Sequence, residues 1–184
     1  MAALHTPICD FNLPAVQFQL PDTEGKIWTL NDVQGEKGLL VMFICNHCPY
    51  VKAILTDLVE DTRKLKALGI NSVAIMSNDI LDYPEDSPEN MAKLAKTQHF
   101  SFPYLYDETQ QVARAYGAVC TPDFFGYNKD LKLQYRGCFD NRQKMNTPIE
   151  SAQHDLFNAM ELIAKTGQGP EDQVASIGCS IKWR

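Results

Sequence analysis

Apolar and polar positions run along the chain with two periods, and the switches between them mark out its elements. Gly38 to Ile44 is a continuous apolar run. A strand buried on both faces of a central sheet reads this way. Val51, Ile54, Leu55, Leu58, Leu65 and Leu68 then fall on one face of a helix predicted over 49–68. Pro49 suits its first position, where an N–H has no partner, and Gly69 stops it. Ser72 to Met76 is a second short apolar strand. Strand, helix and strand make one β-α-β unit, normally right-handed.

Around that unit the pattern predicts further pieces. Val16–Leu20 and Lys26–Leu30 pair as a hairpin across Asp22–Gly25. Asp79–Glu89, with Pro84 and Pro88, reads as a loop. Ser87 caps a helix from Pro88 to Thr97. Phe102–Tyr106 reads as a strand and Thr109–Tyr116 as a short helix. Asp123–Tyr127 and Leu131–Arg136 flank Asn128-Lys129-Asp130 as a second hairpin. Thr147-Pro148-Ile149-Glu150 is a capping box. The helix after it carries Ala152, Leu156, Ala159, Met160 and Ile163 on one face and ends at Gly167. Alternating strands and helices imply an α/β layer fold with a mixed sheet. The division is a loosely held arm at 1–14, one domain at 15–166, and a tail at 167–184 packed on it.

Composition narrows the classes. The 184 residues suit one domain. With 17 Lys+Arg against 23 Asp+Glu the net charge is -6, which disfavours nucleic acid and anionic membrane surfaces. No apolar run approaches the roughly 20 residues of a membrane span. The first residues lack a basic start followed by an apolar core, so a cytoplasmic protein is expected. No glycine-rich phosphate loop is present, and no organic cofactor is expected.

Six cysteines remain: Cys9, Cys45, Cys48, Cys120, Cys138 and Cys179. In a reducing cytosol they are expected as thiols. Cys9 and Cys138 read as ordinary ones. Cys45 and Cys48 form a C-x-x-C, which suggests redox chemistry or half a metal site. Cys48 stands just before Pro49, at the expected N-cap. The partial positive charge of a helix N-terminus stabilises a thiolate, the reactive form.

In register, LLVMFICNHCPYVK resembles the thioredoxin strand-to-helix segment that ends in Trp-Cys-Gly-Pro-Cys-Lys. Cys48 takes the place of the first cysteine and Lys52 that of the lysine. Val51 stands where the second cysteine would be, and Cys45 has appeared three residues earlier. Gly117 to Phe125 resembles the loop that carries the superfamily's cis-proline. The resemblance implies a cis Thr121–Pro122 bond facing Cys48, with Pro122 shaping the site. The spacing of 74 from Cys48 to Pro122 resembles that of the alkyl hydroperoxide reductase/thiol-specific antioxidant branch, which inserts a strand and helix there. Phe18–Lys26 and Leu30–Gly35 resemble the opening of that branch. More narrowly, Asn46–Val51 and Gly178–Trp183 resemble a redoxin group with an N-H-C-P-Y/F-V site and a Gly-Cys-x-Ile-Lys-Trp end. Pro84–Pro88 and Tyr104–Thr109 match it too. The implied fold is thioredoxin-like, a mixed central sheet flanked by helices, with an N-terminal β-hairpin extension.

The main functional expectation is a thiol-disulfide oxidoreductase with Cys48 as nucleophile. Its resolving thiol is sought, in order, among Cys45, Cys120 and Cys179. The alternative is a peroxiredoxin-like thiol peroxidase. That pattern has Pro and Thr/Ser seven and three residues before its cysteine and Pro after it. Here those positions hold Val41, Cys45 and Pro49, so only the last matches. The resemblance also calls for an Arg against the thiolate, and Arg136 is nearest by position. Either reaction needs a disulfide or peroxide substrate and electrons from a thioredoxin-type protein or small thiol. A third reading is a metal module of Cys45, His47 and Cys48, completed by Cys120 or Cys179. The acids Asp79, Asp82, Glu85, Asp86 and Glu89 read as a solvated loop.

Overall fold

The computed structural model describes residues 3–141 and 153–184. Its centre is a five-stranded sheet in the order β6-β5-β4-β8-β9. β4 (Gly38–Phe43) runs parallel to β5 (Ile70–Met76), which is parallel to β6 (Tyr104–Tyr106). β4 is antiparallel to β8 (Asp123–Asn128), and β8 to β9 (Leu133–Tyr135). The sheet is therefore mixed.

The unbroken apolar run of β4 has its cause in two cores. Leu40, Met42 and Ile44 face one, packed by α2 (Pro49–Ala67) and α5 (Asp155–Thr166). Leu39, Val41 and Phe43 face the other, with Phe18, Leu30, Ala113 and Tyr116. Side chains alternate across a strand, so a strand sandwiched between two layers must be apolar at every position. α2 ends where predicted: Gly69 follows it at φ +87, a conformation that L side chains rarely adopt. The cap on α3 (Pro88–Thr97) also forms, with Ser87 accepting from the Asn90 N–H at 3.4 Å.

β2 (Gln19–Pro21) and β3 (Ile27–Thr29) make the N-terminal hairpin, and Asp22 bridges it to Leu105 of β6. Short helices α1 (Leu30–Val33) and α4 (Gln111–Tyr116) lie on the same side. The capping box at 147–150 and Ala152 lie outside the described residues.

Both ends of the chain depart from the sequence reading. β1 (Ala3–His5), within the stretch read as a loose arm, pairs with β10 (Ile177–Ser180), within the tail that has no period. β10 in turn pairs with β7 (Cys120–Thr121), in the order β1-β10-β7. These strands are two to four residues long, too short for periodicity to show. Their partners are also remote: the Ser176 N–H bonds Thr6 Oγ1 across 170 residues of sequence. Among the described residues, no helix is long and apolar enough to cross a membrane.

Candidate active site

β4 delivers the chain into the first turn of α2, and the loop between them holds Cys45, Asn46, His47 and Cys48. Cys48 is the N-cap of α2 in extended conformation. Its Sγ lies 3.1 Å from the Thr121 carbonyl oxygen. The Thr121–Pro122 bond is cis, so the proline loop does face Cys48. The Val51 N–H also faces the sulfur, without closing a full capping hydrogen bond.

Three thiols converge on Thr121. Cys45 Sγ stands 3.3 Å from Thr121 Oγ1. Cys179 of β10 is the register partner of Thr121. Both approach Cys48, Cys45 by its thiol and Cys179 by its thiol and its backbone N–H. The Cys45 thiol, then the Val51 N–H and the Cys179 groups, hold the Cys48 thiol below its ordinary value, while burial opposes them. The Thr121 carbonyl works with burial, since it can only accept. Donors outnumber that acceptor, and the direction is down. The same contact pushes Cys45 up, with burial and the nearby Asp86 charge adding to it. The pair therefore shares one proton, which stays on Cys45. Cys179 is also raised, by burial and then by Cys48.

Cys120 is next to Thr121, but its Sγ turns to the Pro122 carbonyl at 3.6 Å. Burial, then Asp123, keeps it protonated. Cys45, Cys48, Cys120 and Cys179 are all buried thiols. Cys48 has no measurable exposure, 0%, so a substrate reaches it only when its cover moves. β10 is part of that cover. A Cβ on Gly178 would stand 2.1 Å from the Thr121 carbonyl oxygen, so the strand lies directly on the proline loop.

Arg136 does not serve the thiolate. It is buried against Asp123, with Nη2 at 3.0 Å from Oδ2 and Nε at 3.4 Å from Oδ1. It also bonds the Gly117 carbonyl and covers the Phe125 ring.

The acidic loop needs one correction. Asp86 is 0% exposed rather than solvated. Its carboxylate accepts from the Asn46 N–H at 2.7 Å and the His47 N–H at 3.2 Å. It also meets His47 Nδ1 at 2.6 Å and accepts from Asn78 Nδ2 at 2.8 Å. Four donors replace the water that a buried carboxylate would otherwise lose. Asn78 Oδ1 also takes the Lys182 N–H at 2.9 Å, so the segment after β10 is tied to Asp86. Asn46 Nδ2 bonds the Glu85 carbonyl at 2.9 Å, and Tyr104 reaches Asn46 Oδ1 at 3.1 Å. This clasp fixes the loop that aims Cys48. Its one advance signal was the Pro84–Pro88 match, which named the segment but not its burial.

Cys45, His47 and Asp86 place one ligand atom each within 4.8 Å of one another. That is a sulfur, nitrogen and oxygen donor set for a borderline metal such as zinc. The spacing, however, is that of a hydrogen bond. Two ligands of one zinc ion stand about 3.3 Å apart, against 2.6 Å for His47 Nδ1 and Asp86 Oδ2. The carboxylate is satisfied by protein donors already.

Comparison with known proteins gives the family and the fold around this site. Over 116 residues the chain is 28% identical to peroxiredoxin Bcp of Escherichia coli (strain K12), covering 63% of this chain and 69% of the relative. An uncharacterized conserved protein from Geobacillus kaustophilus superposes with a TM-score of 0.93 at 42% identity, over 100% of this chain and 97% of its own. The thioredoxin domain of a thiol-disulfide oxidoreductase from Bacteroides vulgatus, at 17% identity and TM-score 0.64, shares the fold over 84% of this chain and 97% of its own. The pattern of the AhpC/TSA family matches residues 11–136, and with the thioredoxin-like fold around them the chain belongs to that family.

Proposed function

We propose that the protein is a thiol-disulfide oxidoreductase in which Cys48 attacks a substrate disulfide. One observation carries this reading: Cys48 is flanked by two thiols, Cys45 and Cys179, and its own proton is the one most easily lost. A thiolate next to a protonated thiol is the arrangement that thiol-disulfide exchange needs. The nucleophile forms a mixed disulfide, and the neighbour displaces the product. Cys45 is the first candidate to resolve, since it shares the proton of Cys48, and Cys179 is the second. Cys120 is last, because its sulfur is turned to the Pro122 carbonyl. Pro122 shapes the mouth of the site. Electrons come from a thioredoxin-type protein or a small thiol, in a reducing cytosol that keeps these cysteines as thiols.

The family resemblance to peroxiredoxins supports the alternative, a thiol peroxidase. The side chains weigh against it. The position three before Cys48 carries the Cys45 thiol instead of a hydroxyl, and Arg136 is committed to Asp123. Stopped-flow mixing of the reduced protein with hydrogen peroxide and, separately, with a small disulfide separates the two. Reaction with the disulfide and only a free-thiolate rate with peroxide is expected. A peroxide rate far above that of a free thiolate, ending in a Cys48 sulfenate, overturns the exchange reading.

A further inference from the structure

His47 immediately precedes the nucleophile, and its ring is held on three sides. Asp86 takes Nδ1 at 2.6 Å. Tyr83 stacks on the ring with centroids 5.1 Å apart and planes at 16°. The Cys45 sulfur stands 3.9 Å from Nδ1. The other nitrogen, Nε2, is buried and has no hydrogen-bond partner. Buried polar atoms are nearly always paired, so an unpaired ring nitrogen needs a reason. The ring also lines a cavity of about 610 Å³ between the Cys48 loop and α3. With Nδ1–H given to a buried carboxylate, Nε2 is the position through which the ring trades protons.

We propose that His47 is the proton-transfer residue of the thiol reaction and that Asp86 is its positioning residue. The inference rests on the disulfide-exchange reading above. In the first step the Cys48 thiolate attacks one sulfur of the substrate disulfide. The substrate S–S bond breaks, and its electron pair leaves on the other sulfur. That sulfur takes the proton from His47 Nε2–H, and the imidazolium becomes imidazole. In the second step the resolving thiol gives up its proton and its sulfur attacks Cys48 Sγ. The bond from Cys48 to the substrate breaks, and the departing sulfur takes that proton. One substrate disulfide has become two thiols, and two protein thiols have become one disulfide. Asp86 holds Nδ1–H throughout.

Several charged or titratable groups face this ring. Cys45 and Asp86 touch it, and Tyr83 covers it, with Lys182 Nζ 5.5 Å beyond that ring. Lys52, Glu85 and Lys93 line the cavity. A pH profile alone would mix them, so the test turns on the leaving group.

Reduced protein is mixed in single turnover with hydroxyethyl disulfide, whose alkyl sulfur needs a proton to leave, and with dithiobis-nitrobenzoate, whose aromatic thiolate needs none. His47→Gln is expected to lose about 100-fold on the alkyl disulfide and under about 3-fold on the aromatic one. Asp86→Asn is expected to slow both substrates, because it also loosens the loop that aims Cys48, but the alkyl one by a clearly larger factor, and added imidazole to restore part of the alkyl rate to His47→Ala. Equal slowing on both substrates makes His47 structural and overturns the inference, and so does an unchanged alkyl rate. If His47→Gln fails to melt cooperatively, the selectivity of Asp86→Asn decides in its place. If the wild type reacts with neither disulfide at Cys48, the exchange reading itself fails, and this inference falls with it.

Discussion

The Sγ of Cys48 lies 3.1 Å from the carbonyl oxygen of Thr121, the residue just before the cis proline. As a thiol Cys48 donates to that oxygen. As an anion it is held instead by the Cys45 thiol, the Val51 N–H and the thiol and N–H of Cys179. The second set is larger, so the balance tips toward the anion. The anionic fraction rises with pH, so the alkylation rate of Cys48 should climb through a midpoint below the roughly 8.5 of a free cysteine. Cys9, pushed up to about 11 by burial, should stay slow over that range. Mass-resolved alkylation against pH checks this, and a Cys48 midpoint equal to that of Cys9 would refute it.

Cys48→Ser should remove disulfide exchange entirely while leaving the fold intact, since serine is a good N-cap. Retained turnover would sink the assignment of the nucleophile. Cys45→Ser should trap the substrate on Cys48 as a mixed disulfide, visible as an added mass. If Cys179→Ser traps it instead, β10 carries the resolving thiol.

Gly178 touches the proline loop so closely that no side chain fits. An alanine Cβ would lie 2.1 Å from the Thr121 oxygen and 2.5 Å from its carbon, both backbone atoms. Gly178→Ala should therefore lift β10 at a cost of about 1–3 kcal/mol. Two readouts should move together: Tm falls, and Cys48 alkylates faster because its cover lifts.

Arg136→Ala should cost about 3–5 kcal/mol, because it leaves Asp123 buried and unpaired. Burial raises Asp123 from 3.8 to about 6, against the pull of Arg136. A carboxyl raised on folding favours the fold at low pH, and that contribution is lost as pH rises through its folded value. Removing Arg136 raises the value further. The deficit in urea stability should thus be large above about pH 6 and shrink toward pH 4. A deficit independent of pH would mean that the loss is one of packing over Phe125 alone.

What the sequence revealed of this molecule was whatever is local. β4 followed by α2, the Ser87 cap and the turn at Gly69 are each written within a few neighbouring residues, and each formed as read. Cys48 was legible for the same reason: its place before Pro49 is itself the N-cap signal. Asp86 was not, because an acid among acids carries no sign of being buried. Its burial comes from Asn46, His47 and Asn78, which approach from separate parts of the chain. Arg136 was assigned toward the thiolate by position, yet Asp123 on the neighbouring strand claims it. The β1-β10-β7 sheet was illegible because its strands are too short for a pattern and its partners lie at opposite ends of the sequence.

That last sheet sets the order in which chemistry can arise during folding. Loops that join remote segments close late, since their entropy must be lost before the contacts reward it. The Cys179 donors reach Cys48 only once β10 has slotted between β1 and β7. A chain with its central sheet formed but β10 undocked would hold Cys48 uncovered, with the Cys45 thiol and the Val51 N–H in place and the Cys179 groups absent. The reactivity of one sulfur is thus a clock hand for the final long-range step of assembly, readable by pulsed alkylation while the protein refolds.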